Sequence, residues 1–349
     1  MHDKFRASRL DVPLVLGMFF LVSFSVLILR SISPELFPSY FAYIFVGLLF
    51  FYLTSRVDFD LYLLFAKHFY VLSIVFLIIP LLIGQVTRGA VRWIPLGYFS
   101  IQPAEIVRPF LIIFFANYLI GKEITFKVVA KSILLLMVPV FLIIIQPSLG
   151  VSILTMVAFF GVFIASSVNK KYVFLVVAAA LVVLPLVYNL LAPYQRGRIV
   201  SFLDPQSDPL GAGYNSIQSV ISVGSGKIFG RGLGRGVQTQ LAFLPEKHTD
   251  FIFAAASEEL GFMGSSLLLF GVFFILWRLT SFIKHAVSPY ARAYLCGLFL
   301  VMFVQTAVNI GMNLGILPIT GLPLPLVSAG GSSFLSTMIS LGIAVRAKK

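Results

Sequence analysis

The side chains best suited to chemistry gather where a polar stretch meets an apolar one. Residues 192–250 form a long polar passage that closes on Pro245-Glu246-Lys247-His248-Thr249-Asp250, and apolar residues resume at Phe251. Ionisable groups at a bilayer edge are costly to keep, which makes Asp250 and the Glu246, Lys247 and His248 beside it candidates for function. A carboxylate so placed can take a proton from a hydroxyl while neighbouring cations stabilise the charge that develops. Local sequence favours a plainer role, in which Asp250 sits in the first turn of a helix and Thr249 or Asp250 accepts hydrogen bonds from its free amides. Glu258 and Glu259 follow inside the apolar segment. Eight helical residues place Glu258 about 12 Å beyond Asp250, too far for a close pair acting on one bond, and adjacent residues face about 100° apart. At least one of these glutamates is expected to meet a buried cation or to cap a broken helix.

Glu105 and Arg108 stand at i and i+3, a spacing that suits an ion pair, either one that serves function or one that fixes two helices. Trp93 beside Arg92 reads as an interfacial anchor or as a substrate platform. The loop's Gly230-Arg231-Gly232-Leu233-Gly234-Arg235-Gly236 lacks the dinucleotide spacing and any βαβ context. It is either a flexible turn or a backbone open enough to bring guanidinium groups to a phosphate. Gly224-Ser225-Gly226-Lys227 fails the phosphate-loop pattern because Ile221 and Ile228 occupy required positions. His2, His68 and His285 are scattered, and no zinc-ligand spacing occurs.

The elements that must hold these groups are membrane helices. The chain has 349 residues, 59% hydrophobic and 11% charged, with mean hydropathy +1.00, against roughly 25% charged in soluble proteins. A crossing needs roughly 20 residues, and ten candidates occur at about 12–29, 38–54, 61–84, 104–120, 128–146, 149–168, 172–191, 251–277, 290–314 and 325–345. The expected fold is an all-α polytopic membrane protein, one transmembrane domain over 1–349 with one long extracytoplasmic loop at 192–250. Residues 85–103 read as a loop on the membrane surface. With the N-terminus inside, Lys4, Arg6, Arg9, Arg56, Lys122, Lys127, Lys131, Lys170, Lys171, Arg278, Lys284, Arg292, Arg346, Lys348 and Lys349 fall on the inner side. Short outer loops hold only Arg30, Arg88 and Arg92. That asymmetry places both termini in the cytoplasm, so the net charge of +13 reports topology and not nucleic-acid binding. Cys296 is the only cysteine, so no disulfide within the chain braces the loop. The first segment follows a basic leader but lacks a small-residue cleavage site, so an uncleaved span is expected. Within the loop, Asp204-Pro205 and Asp208-Pro209 mark turns, and 215–223 suits a short helix.

The passage Leu317-Pro318-Ile319-Thr320-Gly321-Leu322-Pro323-Leu324-Pro325 bars a regular helix. Irregular backbone at membrane depth persists only where protein buries it or it lines a cavity. Ser328-Ala329-Gly330-Gly331-Ser332-Ser333 then allows close helix packing. Together with Pro245-Glu246-Lys247-His248-Thr249-Asp250-Phe251-Ile252-Phe253-Ala254 and Glu258-Glu259-Leu260-Gly261, this passage closely resembles the SEDS family of shape, elongation, division and sporulation proteins. The likeness extends through Trp93-Ile94, Gln102-Pro103-Ala104-Glu105, Gln146-Pro147, Phe202-Leu203-Asp204-Pro205 and Gly211 to Ser219. Gln238 to Glu246 and the compact termini look more like the elongation members than the division members.

The resemblance implies a peptidoglycan glycosyltransferase of ten transmembrane helices in the bacterial cytoplasmic membrane. Such an enzyme polymerises lipid II and works with a class B penicillin-binding protein. Asp250 matches the family's essential loop aspartate, which reverses the ranking from local sequence. Ser148 stands where many members carry Asp, Ala329 replaces a commoner aromatic, and Arg108 replaces a frequent Lys. On this reading Asp250 acts alone as base, and diphosphate ligands come from Arg88, Arg92, Arg196, Arg198, Arg231, Arg235 and Lys247. No cofactor is tightly bound, and the diphosphate leaves room for a loosely held Mg²⁺ or Mn²⁺. A flippase for the lipid-linked precursor and a noncatalytic scaffold are the competing functions.

Overall fold

The computed structural model describes residues 10–83, 92–97, 99–190, 193–204 and 213–348. Its helices are α1 (Val12–Ile32), α2 (Phe37–Thr54), α3 (Phe59–Leu64), α4 (Ala66–Ile83), α5 (Pro103–Ile106), α6 (Arg108–Leu119), α7 (Phe126–Ile145) and α8 (Leu149–Ala165). They continue with α9 (Lys170–Leu190), α10 (Pro193–Leu203), α11 (Tyr214–Ser225), α12 (Val237–Gln240), α13 (Ile252–Lys284), α14 (Pro289–Asn313) and α15 (Gly331–Ala347). Each of the ten apolar segments contains helix, and among the described residues six helices are long and apolar enough to cross a membrane.

Outward faces carry Phe19, Phe45, Leu72, Phe141 and Phe270 exposed, a surface that only a lipid solvent accommodates at this extent. Inside, α15 is buried along nearly its whole length and packs on α2, while α14 packs on α8, α13 and α6. Small residues permit the close approaches. A Cβ at Gly331 would overlap the Tyr43 ring, and one at Gly161 would stand 2.8 Å from the Cys296 carbonyl oxygen.

Several expected boundaries move for physical reasons. Segment 61–84 divides at Phe65 into α3 and α4. Segment 104–120 divides at Val107, because Pro109 has no amide to offer the Glu105 carbonyl, which accepts Ser336 Oγ at 2.7 Å in its place. Segment 325–345 becomes helix only at Gly331, after the proline-rich passage. The chain is not purely helical: β1 (Ile94–Leu96) and β2 (Phe99–Ile101) form an antiparallel hairpin with Gly97 at φ +69° in its turn. The hairpin docks on the bundle, since the Ser100 amide donates to Tyr43 Oη at 2.9 Å and the Gln102 amide to Ser332 Oγ at 2.8 Å. Residues 84–91, including Arg88, lie outside the described residues, as do 205–212 with the Asp208-Pro209 turn.

At the opposite end one carboxylate ties three elements. Asp11 caps α1 by accepting the Leu14 amide, takes both Nε and Nη2 of Arg278 at 2.8 and 2.6 Å, and accepts Lys348 Nζ at 2.6 Å.

Candidate active site

The backbone of Thr249 and Asp250 is fastened at both amides and both carbonyls. Glu246 adopts a left-handed conformation (φ +49°), and its carbonyl accepts the amides of Thr249, Asp250 and Phe251 at 3.1, 3.1 and 3.3 Å. The next carbonyls turn the other way. His248 O accepts the Ala329 amide at 2.9 Å, Thr249 O accepts Ser328 Oγ at 2.6 Å, and Asp250 O accepts Nδ2 of both Asn309 and Asn313 at 3.0 Å. Those asparagines belong with Gln305 to a stripe at one-turn spacing on α14. Gln305 Nε2 donates to Pro323 O at 2.8 Å and Asn309 Nδ2 to Leu322 O at 2.7 Å. The irregular 318–330 passage and the Asp250 turn are thus clasped by the same helix face, which satisfies backbone groups that lipid could not.

The helix-cap role expected from local sequence goes to another residue. Helix α13 begins at Ile252, Asp250 lies before its cap position, and the Ala254 amide is accepted by Asn313 Oδ1 at 2.9 Å. The Asp250 carboxylate instead faces a cavity of about 600 Å³. Arg92, Trp93, Gln102, Glu105, Ser148, Gln195, Arg198, Glu246, Thr320 and Gly321 share the walls with it. A Cβ at Gly321 would stand 3.5 Å from Asp250 Oδ2 and 3.9 Å from Arg198 Nη1. Glycine at φ +71° there leaves the space between carboxylate and guanidinium open.

Of the expected site residues, the cavity therefore brings together Asp250, Arg92, Trp93 and Glu105, and with them Arg198 from the expected diphosphate ligands. Asp250 shares the space with two further carboxylates, Glu105 and Glu246. Glu105 is 4% exposed and lies in the fields of Arg108, Arg92 and Asp250. The expected ion pair with Arg108 does not form within 4 Å, although each group lies in the field of the other. Arg108 is buried behind the wall, and its Nε and Nη2 meet no hydrogen-bond partner. Arg92 Nε is likewise buried without a partner.

Arg196, Arg231, Lys247, His248, Glu258 and Glu259 do not line the cavity. Glu258 caps α12, accepting the Gln238 and Thr239 amides at 2.9 and 3.0 Å, and Glu259 Oε1 accepts the Gly234 amide at 3.1 Å and Gln240 Nε2 at 2.9 Å. The expected broken helix exists, and the glutamates serve the loop that fills it. Helix α13 breaks at Gly261 (φ +67°), exposing the carbonyls of Glu258 and Glu259 and the amides of Phe262 and Met263. Loop residues satisfy all four through the Arg231 and Gly232 amides and the Lys227 and Ile228 carbonyls, at 2.8 to 3.1 Å. Gly230 lies so close that a Cβ would meet Glu259 O at 2.2 Å. The glycine run is thus neither a flexible turn nor a phosphate cradle. Its backbone is spent on α13, and Arg231 points outward with Nε on Ser225 Oγ at 3.2 Å. Lys247 Nζ is held by Thr239 O. The His248 ring lies 3.8 Å from Glu246 Oε2.

Arg198 was expected as a loop cation, but the helix that carries it was not: α10 brings Gln195, Arg198 and Ile199 to the cavity at i, i+3 and i+4, a helical spacing visible in the sequence. Sequence reasoning also missed Gln305, Asn309 and Asn313, although polar residues one turn apart inside an apolar segment are a functional signal. Ser148 accepts Gln102 Nε2 at 3.0 Å on the cavity wall.

Apolar helices with apolar outer walls, enclosing a charged cavity beside a backbone-clamped carboxylate, define a multi-pass membrane protein with a polar internal cavity. The chain belongs to the FtsW, RodA and SpoVE family, described as cell cycle protein, whose pattern matches residues 8–349. It is 35% identical over 342 residues to the peptidoglycan glycosyltransferase MrdB of Escherichia coli, covering 96% of this chain and 92% of that one. It superimposes with a TM-score of 0.82 and 32% identity on a chain of a peptidoglycan synthase complex that coordinates polymerization and crosslinking, covering 96% of each. The Thermus thermophilus rod shape determining protein RodA matches with a TM-score of 0.73 and 26% identity, over 96% of this chain and 95% of that one.

Proposed function

We propose that this protein is a peptidoglycan glycosyltransferase of the elongation type that polymerises lipid II at the outer face of the bacterial cytoplasmic membrane. The observation that carries the reading is the Asp250 carboxylate, held by its clamped backbone at a cavity that Arg92 and Arg198 also line. In the proposed step an Asp250 oxygen takes the proton of the acceptor sugar's hydroxyl. That hydroxyl oxygen attacks the donor's anomeric carbon in line, the bond from this carbon to the diphosphate breaks, and the α-linked donor becomes a β-linked product. The electron pair leaves with the polyprenyl diphosphate, whose charge falls to Arg92 and Arg198, with the orphaned guanidinium of Arg108 behind them. One inversion requires one base and not the close carboxylate pair of retaining glycosidases. Glu105 and Glu246 then serve to orient cations and acceptor. Among the described residues no group of three His, Cys, Asp or Glu side chains is placed to hold a metal ion. Dependence on Mg²⁺ or Mn²⁺ is a matter for chelation during the assay.

The same reading places ten helices across the membrane, both termini in the cytoplasm and 192–250 outside, with a class B penicillin-binding protein as crosslinking partner. The test is purified protein and lipid II in vesicles, with moenomycin present to silence soluble-domain polymerases. Glycan strands should form with wild-type protein and be absent with Asp250→Asn at unchanged thermal stability. Translocated but unpolymerised lipid II from the wild-type protein, or full activity of Asp250→Asn, would overturn the proposal.

A further inference from the structure

Far from the cavity, α4 and α7 leave between them a groove of about 520 Å³ walled by Ile74, Ile78, Leu134, Met137, Val138 and Phe141. Three exposed lysines stand at one end of it. Lys67 opens α4, Lys131 lies in the second turn of α7, and Lys122 lies in the connection leading to α7. They form one electrostatic unit, since burial and the fields of Lys131 and Lys67 all lower the pKa of Lys122. None of the three forms an ion pair among the described residues, Glu123 included. Lys122 Nζ rests 3.6 Å from the centroid of the Tyr118 ring.

The lysines and the groove share helix faces. Lys67, Ile74 and Ile78 recur at i, i+7 and i+11 on α4, and Lys131, Leu134 and Val138 at i, i+3 and i+7 on α7. Tyr70 Oη donates to Leu135 O at 2.8 Å and fixes the two helices at the level where charge gives way to apolar wall. Leu134 lies about 4.5 Å and Val138 about 10 Å beyond Lys131 along the axis. Both distances fall within half of a hydrocarbon core about 30 Å thick, so one leaflet spans headgroup and wall.

We propose that the α4–α7 groove binds an anionic phospholipid of the bilayer, its phosphate among Lys67, Lys122 and Lys131 and its acyl chains along Ile74, Leu134 and Val138. Clustered ammonium groups repel one another, and an anionic headgroup relieves that repulsion. A zwitterionic lipid brings an ammonium of its own, so charge selects between them. Basic pockets between helices at the cytoplasmic surface recognise anionic headgroups by this chemistry. The site is separate from the cavity, because Lys131 and Pro147 lie near opposite ends of α7. It rests on the membrane topology and not on the glycosyltransferase reading.

The experiment is spin-label resonance on the full chain in phosphatidylcholine bilayers doped with labelled phosphatidylglycerol or labelled phosphatidylcholine. Wild-type protein should immobilise the phosphatidylglycerol probe several-fold more than the other, and Lys67→Gln/Lys122→Gln/Lys131→Gln should equalise them. Lys170→Gln/Lys171→Gln, on the same side of the membrane, should keep the preference. Leu134→Trp, which fills the groove, should reduce it. Wild-type protein alone gives a second measurement: the preference should collapse as salt shortens the Debye length from about 10 Å at 0.1 M to about 3 Å at 1 M. Equal immobilisation of both probes by wild-type protein, or a preference unchanged by the triple substitution or by salt, would overturn the proposal.

Discussion

Replacing Asn313 by leucine tests whether the clamped backbone matters to chemistry or only to folding. The side chain is fully buried and makes three bonds, accepting the Ala254 amide and donating to the carbonyls of Asp250 and Asn309. Leucine keeps the approximate volume and removes all three. Asp250 O retains Asn309, so the group left unsatisfied is the Ala254 amide, at a cost of about 1–3 kcal/mol. Hydrogen bonds measured inside membrane proteins average about 0.6 kcal/mol and reach about 1.7, which puts the stability loss near the lower end. The effect on rate should be larger. Losing one of its two carbonyl tethers lets the aspartate drift, and a misplacement of about 1 Å costs about 100-fold, or about 2.7 kcal/mol of barrier. Polymerisation of lipid II by purified Asn313→Leu should therefore fall about 100-fold in kcat, while the melting temperature drops only a few degrees. Activity of Asn313→Leu within threefold of wild type would refute the claim that α14 positions Asp250.

Three further outcomes follow from contacts described above. Gly321→Val places a branched side chain at φ +71° between Asp250 and Arg198, and should lower kcat at least tenfold, measured by polymer yield at saturating lipid II. Glu258→Ala strips the Gln238 and Thr239 amides of their charged acceptor, which should cost about 1–3 kcal/mol and speed proteolysis of the 227–244 loop, read by timed digestion. Asp11 is pushed up by burial, yet hydrogen bonds from Arg278 and Lys348 hold it at about 2 against the usual 3.8. A depressed folded pKa stabilises above the unfolded value and is lost as pH falls through the folded one. Asp11→Asn should thus lower the melting temperature at pH 6, and the difference from wild type should shrink between pH 4 and pH 2.

The apolar segments were readable because a membrane crossing needs length and composition, both of which a sequence displays. The irregular passage around Gly321 was readable for a related reason: prolines remove amide donors, and only a buried or cavity-lining backbone tolerates that at depth. Charge, by contrast, says nothing of direction. Arg231 and Arg198 look alike as loop arginines, yet the first belongs to a backbone committed to the break at Gly261 and the second to a helix facing the cavity. Glu105 and Arg108 mislead because the i, i+3 rule says that two side chains can meet, whereas packing decides where two buried ones point. Asp250 had looked like a cap while the true acceptor, Asn313, lies 59 residues from the amide it serves; such partners are set by packing.

The stripe of Gln305, Asn309 and Asn313 carries no charge at any pH a bilayer survives. Amides do not titrate, draw no counter-ion and feel little force from the potential across the membrane. A clamp built of lysine or glutamate would tighten and slacken with the energised state of the cell. The α14 side of the frame beneath Asp250 is therefore blind to voltage and acidity, which leaves a response to either to the ionisable groups that surround the turn.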